Sequence, residues 1–223
     1  METIDTFTIN NLKTMIKLSM IKRRELIQKE REACTYRVME GEEPSAKKPG
    51  YDYEETREGL NTEDFSVRLA RHSINSFSVS RFVPEYNMTL DELEMYLEDL
   101  DNRLNTLKEL KDARPMKRGI VNRRVEYSFI NYDPEQVRND YRKLADERSK
   151  VRSIISEIQE SEEFRDDSIE IEWDEDESPS EWFSDTRDFI LDYEEKVSDE
   201  LMRSYGDDDK EKELEAFLKI LRD

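Results

Sequence analysis

The chain has one imidazole, His72, followed by Ser73, and one thiol, Cys34, set between Arg31 and Arg37. A nucleophilic site would most simply be built on these residues. A reactive thiolate needs a helix N-terminus or a group of cations beside it, and Cys34 falls where a helical pattern ends. His72 lies at the polar end of another helical pattern and reads as a surface or structural residue. With five glycines in 223 residues, no window offers the Gly-rich loop through which backbone N–H groups approach a phosphate. One cysteine and one histidine exclude an internal disulfide framework and a Cys/His zinc site. The chain is expected to be no enzyme and to carry no cofactor or metal.

What remains is charge. The segment EIEWDEDESPSE, residues 170–181, is dense in carboxylates, but it lacks the glycine and the ligand spacing of a calcium loop. A folded array of Asp174, Glu175, Asp176, Glu177, Glu181, Asp185, Asp188 and Asp192 could imitate the phosphates of a nucleic acid and occupy a basic groove on another protein. The plainer reading is a solvated acidic face that keeps a helical protein soluble. Trp182, with Phe183 beside it, suits a partner contact, because tryptophan anchors interfaces; packing into the protein's own core is the alternative. One positive patch stands against this, KDARPMKRGIVNRR at 111–124, with six Lys or Arg and one Asp. Arg114, Lys117, Arg118, Arg123 and Arg124 could contact phosphates, yet a net charge of -20 opposes nucleic-acid binding. The patch reads better as a loop between two helices, or as a dock for the acidic tail of its own or a neighbouring chain.

These residues need a scaffold, and composition limits it. Only 35% of the chain is hydrophobic while 41% is charged, against about 45–50% and about 25% in ordinary domains. Such a chain is either disordered or built of helices that bury a narrow stripe, and abundant periodicity decides for helices. Residues 161–223 hold 25 acidic and 8 basic side chains; the preceding residues are close to neutral. An acidic extension on a near-neutral body follows. No run of 18 apolar residues offers a membrane span, and the start, METIDTFTINNLKTMIKLSMIKRRE, lacks the basic lead and apolar core of a signal peptide. A cytoplasmic location is expected.

The clearest helix opens at Thr89, with Glu92 three residues on to complete a capping box. Leu90, Leu93, Leu97, Leu100, Leu104 and Leu107 follow at alternating intervals of three and four, a heptad seam. The next begins at YDPEQVR, 132–138. Asp133 is its cap and Pro134 its first residue, and Val137, Tyr141, Leu144, Arg148, Val151, Ile155 and Ile158 form the stripe. Eighty-one residues earlier, YDYEETR at 51–57 repeats Tyr-Asp-x-Glu-x-x-Arg. The stripe repeats with it, more weakly: Leu12, Ile16 and Leu26 answer Leu93, Leu97 and Leu107, while Ser19 and Arg23 stand where Leu100 and Leu104 do. Two antiparallel hairpins are predicted, 9–33 with 52–76 and 89–112 with 133–159. Alternating runs predict short strands near 35–39, 76–80, 124–130 and 168–173, forming a small sheet at one end. Residues 40–50 read as an exposed linker. Ser178 and Pro179 open a further helix through Trp182, Phe183, Thr186, Phe189, Ile190, Tyr193, Val197 and Leu201. Gly206 stops it, and Leu214, Phe217, Leu218 and Leu221 mark a last one.

The capped helix TLDELEMYLEDLDNRLNTLKEL, the strand-like VEYSFINYD and the helix YDPEQVRNDYRKLADERSKVRSIISEIQ together resemble the septicolysin-like group of small bacterial and prophage coiled-coil proteins, over about residues 9–173. The resemblance implies a helical hairpin protein of bacterial or phage type, and no catalytic residue carries over. The expectation is a mainly α protein of two repeated hairpins, 1–80 and 81–173, with short strands at one end and an acidic helical extension, 174–223. It would act on a protein partner, alone or as a homodimer, with no membrane contact. The other reading is an inhibitor that mimics nucleic acid toward a basic nucleic-acid-binding protein.

Overall fold

A computed structural model describes residues 6–121, 124–166, 169, 179–204 and 206–222. Within them, in chain order, lie β1 (Thr6–Phe7), α1 (Ile9–Ala33), α2 (Pro44–Lys47), α3 (Tyr53–Ser80), β2 (Phe82–Val83), β3 (Met88–Thr89), α4 (Leu90–Lys111), β4 (Met116–Val121), β5 (Arg124–Phe129), α5 (Pro134–Ser161), β6 (Phe164–Arg165), α6 (Pro179–Arg203) and α7 (Asp208–Arg222). The protein is mainly helical, 73% helix, with a few short antiparallel strands.

The helix starts obey their caps. Thr89 Oγ1 accepts from the Glu92 N–H at 3.3 Å while Glu92 Oε2 accepts from the Thr89 N–H at 2.8 Å, closing the box before α4. Thr8, eighty-one residues earlier, caps α1 through the Asn11 N–H at 3.2 Å. Asp52 accepts from the N–H groups of Glu54 and Glu55, and Asp133 from that of Glu135, so α3 and α5 each start one residue after the aspartate. The tyrosine of the doubled motif has a use that spacing did not reveal. The Tyr51 hydroxyl donates to Glu30 at 2.9 Å and the Tyr132 hydroxyl to the Leu110 carbonyl at 2.8 Å. Each reaches back to the last turn of the preceding long helix, so each repeat of the motif both starts a helix and ties down the end of its neighbour.

The chain divides into two units, Asn75–Glu162 and the remainder, Met1–Ile74 with Glu163–Asp223. In the 75–162 unit, α4 and α5 form a closely packed antiparallel hairpin. Leu90, Leu93, Leu100 and Leu104 are buried on one helix and Val151, Ile155 and Ile158 on the other. Arg148, the polar member of its stripe, lies half-buried and grips Asp101 with two nitrogens, one at 3.3 Å. Lys111 sits over the Tyr141 ring, 4.0 Å from its centroid. Arg81 pairs with Glu162 at the base of the hairpin. β2 and β3 form a short ladder around a turn with Asn87 at φ +54°, a left-handed conformation that asparagine tolerates.

In the other unit α1 is the central element. Leu12 is buried with Phe7, Ala70 of α3, Phe183 of α6 and Ile169. Ile21, on another side of the same helix, is buried with Ile190 and Leu221. α6 and α7 close on each other through Val197, Leu214 and Leu218, after Gly206 turns the chain at φ +106°. α1 and α3 run antiparallel, joined by Arg23–Asp64 at 2.8 Å and by Arg57 on Glu30. Near the motif end they approach closely: a Cβ on Gly59 would lie 3.1 Å from Leu26 Cδ1.

Several expectations need correction. Within its unit the C-terminal α6 packs on α1 and shares its core, and the compact units divide at 74/75 and 162/163. Residues 76–80 continue α3 to its end at Ser80; extending a formed helix adds a hydrogen bond per residue. Residues 35–39 form no strand; at their end the Met39 N–H donates to the Glu42 carboxylate at 2.9 Å and its carbonyl accepts from the Glu42 N–H at 3.1 Å, a local turn in place of a ladder. The strands make three separate two-stranded ladders, β1 with β6, β2 with β3 and β4 with β5, rather than one sheet. The linker 40–50 contains the single turn α2. Ser178 and most of 168–173 lie outside the described residues.

Asp133→Ala is expected to lower unfolding stability by about 1 kcal/mol, and Tyr132→Phe by about 0.5–1.5 kcal/mol. Leu100→Ala, which empties a fully buried site, should cost about 2–5 kcal/mol. Urea unfolding followed by circular dichroism measures all three.

Candidate functional site

The basic patch, expected as a loop, is a β-ribbon. Met116 pairs with Phe129, Arg118 with Tyr127 and Ile120 with Val125, in antiparallel register. Directly opposite residues share a face and alternate along each strand. One face therefore carries Met116, Ile120, Val125, Tyr127, Phe129 and Arg118; the other carries Lys117, Gly119, Glu126 and Ser128. None of the apolar six-residue face is covered: Ile120 keeps 74% of its surface and Phe129 71%. A lone two-stranded ribbon is marginal in water, and this one exposes five apolar side chains on one side. Arg114, Lys117 and Arg118 are exposed and make no ion pair among the described residues. Arg123 lies outside the described residues; for Arg124 the backbone in β5 is described.

The acidic array is only partly in view. Asp174, Glu175, Asp176 and Glu177 lie outside the described residues. Glu181, Asp185, Asp188 and Asp192 are exposed on α6. Asp185, Asp188 and Asp192 fall at helical intervals of three and four on the side away from buried Phe183, Thr186, Ile190 and Val197. Phe189, expected in the buried stripe, is 44% exposed among them. Trp182 is no free anchor. It is half-buried against the cluster of Phe7, Leu12, Ala70 and Phe183, with its ring edge-on to Phe183 at 5.0 Å.

A third feature had no sequence signal. Between α1, α3 and α7 runs a groove of about 930 Å³. Its apolar floor includes Met20, Ile27, Val67, Leu214, Phe217 and Ile220. Arg24 holds one wall, bonded to the Tyr193 hydroxyl at 3.0 Å and to Glu200 at 3.2 Å, with its guanidinium 5.1 Å from the Phe217 ring centre. Lys210 reaches the other oxygen of Glu200 at 2.9 Å. Lys210 holds the Glu200 carboxyl below the ordinary carboxylate range, against the opposing pull of burial, and Arg24 adds to the effect. Arg81 does the same for Glu162, and Arg57 for Glu30.

The chemistry-bearing residues do not converge. His72 is exposed. Ser73 is buried, its hydroxyl shared between the Leu69 carbonyl and the Asp166 carboxylate, with no imidazole. Cys34 is exposed, 4.0 Å from the Arg31 carbonyl. Among the described residues no cluster of His, Cys, Asp or Glu could hold a metal, and no helix is long and apolar enough to cross a membrane.

No family model, no curated protein and no solved structure matches the chain. The septicolysin-like resemblance therefore rests on the quoted residues alone.

A carboxylate with a lowered folded-state pKa stabilises fully above its ordinary value and ceases to do so as pH falls through the lowered one. The Glu200 pair should therefore be complete above 4.5 and fade below it. Thermal melts of the chain and of Glu200→Gln should differ most near neutral pH, with the gap closing below that value. A gap independent of pH would contradict the assignment.

Proposed function

We propose that this chain is a non-enzymatic protein-interaction protein of bacterial or phage type, built from two diverged copies of a helical hairpin, which captures a partner on the apolar face of the β4–β5 ribbon. The observation that carries this reading is the uncovered row Met116, Ile120, Val125, Tyr127 and Phe129. Arg118 among them and Arg114 just before the ribbon favour a partner whose apolar patch is rimmed by acids, since charge complementarity selects partners and speeds encounter. The hairpin is the device that presents it: buried leucines and the Asp101–Arg148 pair stiffen α4 and α5, and the ribbon joins their far ends.

A second reading, mimicry of nucleic acid by α6, is favoured by one observation. Asp185, Asp188 and Asp192 stand exposed, in helical register and without an ion pair among the described residues. Salt separates the two, because a charge-driven complex weakens steeply with ionic strength and an apolar one does not.

The test compares what the full chain retains with what two variants retain, one with Ile120→Asp and Phe129→Asp, the other with Asp185→Asn, Asp188→Asn and Asp192→Asn. The ribbon pair is expected to abolish retention of a partner that survives 0.5 M salt (roughly five times the ionic strength at which the screening length is about 10 Å), while the Asn variant keeps it. Loss confined to the Asn variant and to high salt would transfer the function to α6. Sedimentation of the chain alone shows whether a second copy fills the ribbon.

A further inference from the structure

The groove between α1, α3 and α7 exists because one seam lacks what fills the other. Shifted back by eighty-one residues, the Asp101–Arg148 clasp of the tight α4–α5 hairpin falls on Met20 and Val67, and buried Leu104 falls on Arg23. Met20 and Val67 line the groove floor, and Arg23 turns to Asp64 at 2.8 Å rather than inward to a seam.

Six basic side chains line this groove, and four are satisfied. Arg23 has Asp64, Arg24 and Lys210 share Glu200, and Arg31 has Glu213 at 2.7 Å. Arg68 and Arg71 line it too, are exposed, and have no ion pair or hydrogen bond among the described residues. They follow Asp64 on one face of α3, three residues apart, a spacing that lets two guanidiniums meet one anion. The groove is also polar in direction. Ile21 and Leu221 meet near one end, and Arg31 and Glu213 near the other. Because α3 runs antiparallel to α1 from the Arg23–Asp64 pair, Arg68 and Arg71 belong to the Ile21 end. Glu32, Asp207 and Asp209 line the end near Arg31.

We propose that this groove binds a slender amphipathic anion, an alkyl chain ending in a carboxylate or a phosphate, with its head on Arg68 and Arg71 and its chain along Met20, Val67, Phe217 and Ile220. About 930 Å³ lies within the usual range of small-ligand sites, about 300–1,000 Å³.

The test is titration calorimetry on the full chain with dodecanoate, dodecyl phosphate, dodecyltrimethylammonium and inorganic phosphate, each below its micelle concentration. Saturable one-site binding of a dodecyl anion, at least tenfold tighter than the cation, is expected, with inorganic phosphate not binding. Preference between the two anions identifies the head group. Arg68→Gln with Arg71→Gln should erase the anion's advantage. Ala216→Trp, which fills the groove from an exposed position on α7, should abolish alkyl binding, with helix content unchanged by circular dichroism in both variants. Equal binding of anion and cation, binding of inorganic phosphate as tight as dodecyl phosphate, no saturable binding, or indifference to both variants would overturn the proposal.

Discussion

Apolar side chains are scarce in this chain, and the structure follows from where they are placed. With 35% of residues hydrophobic, each helix can offer about one stripe, and hydrophobic burial is the main favourable term in folding. α4 and α5 bring their stripes together, and one hairpin results. α1 is the exception, with buried residues on more than one side, Leu12 toward α3 and α6 and Ile21 toward α6 and α7. A helix with two such sides becomes the centre of a unit, and this is why the C-terminal helices fold back onto the N-terminal one.

Where apolar residues run out, ion pairs and hydrogen bonds set the register. Arg148 on Asp101, Arg23 on Asp64, Arg24 on Glu200 and Arg31 on Glu213 each link two helices at a defined height. Pairs as exposed as Arg23–Asp64 and Arg31–Glu213 contribute little to stability, about 0–1 kcal/mol; all four select one alignment among several that a weak stripe would allow. The tyrosines of the doubled motif act in the same way on the helix ends. Substituting polar links for leucines leaves the α1–α3 seam open, whereas the leucines of α4 close theirs.

Helix starts were legible because their signals are local. Thr89 with Glu92, and Asp52 and Asp133, act within a single turn, and the structure has each cap where the sequence puts it. Facts that depend on a partner were hidden. Phe77 and Val79 alternate like a strand, but the helix already running before them decides their state. The ribbon had a readable signal in Met116, Arg118 and Ile120, mirrored by Val125, Tyr127 and Phe129, and the density of basic residues obscured it. The stripe of α6 told that a face is buried, and could not tell that Trp182 and Phe183 meet Phe7 and Leu12. The groove had no local signature, being a gap left by residues on three helices.

The split of the chain into an uninterrupted 75–162 unit and one assembled from both sides of it gives the two a different history during synthesis. A chain leaves the ribosome from its N-terminus, and domains generally fold as units. α4 and α5 have each other as soon as both emerge. α1, made first, must wait until α6 and α7 are translated, its second buried side wet for most of that interval.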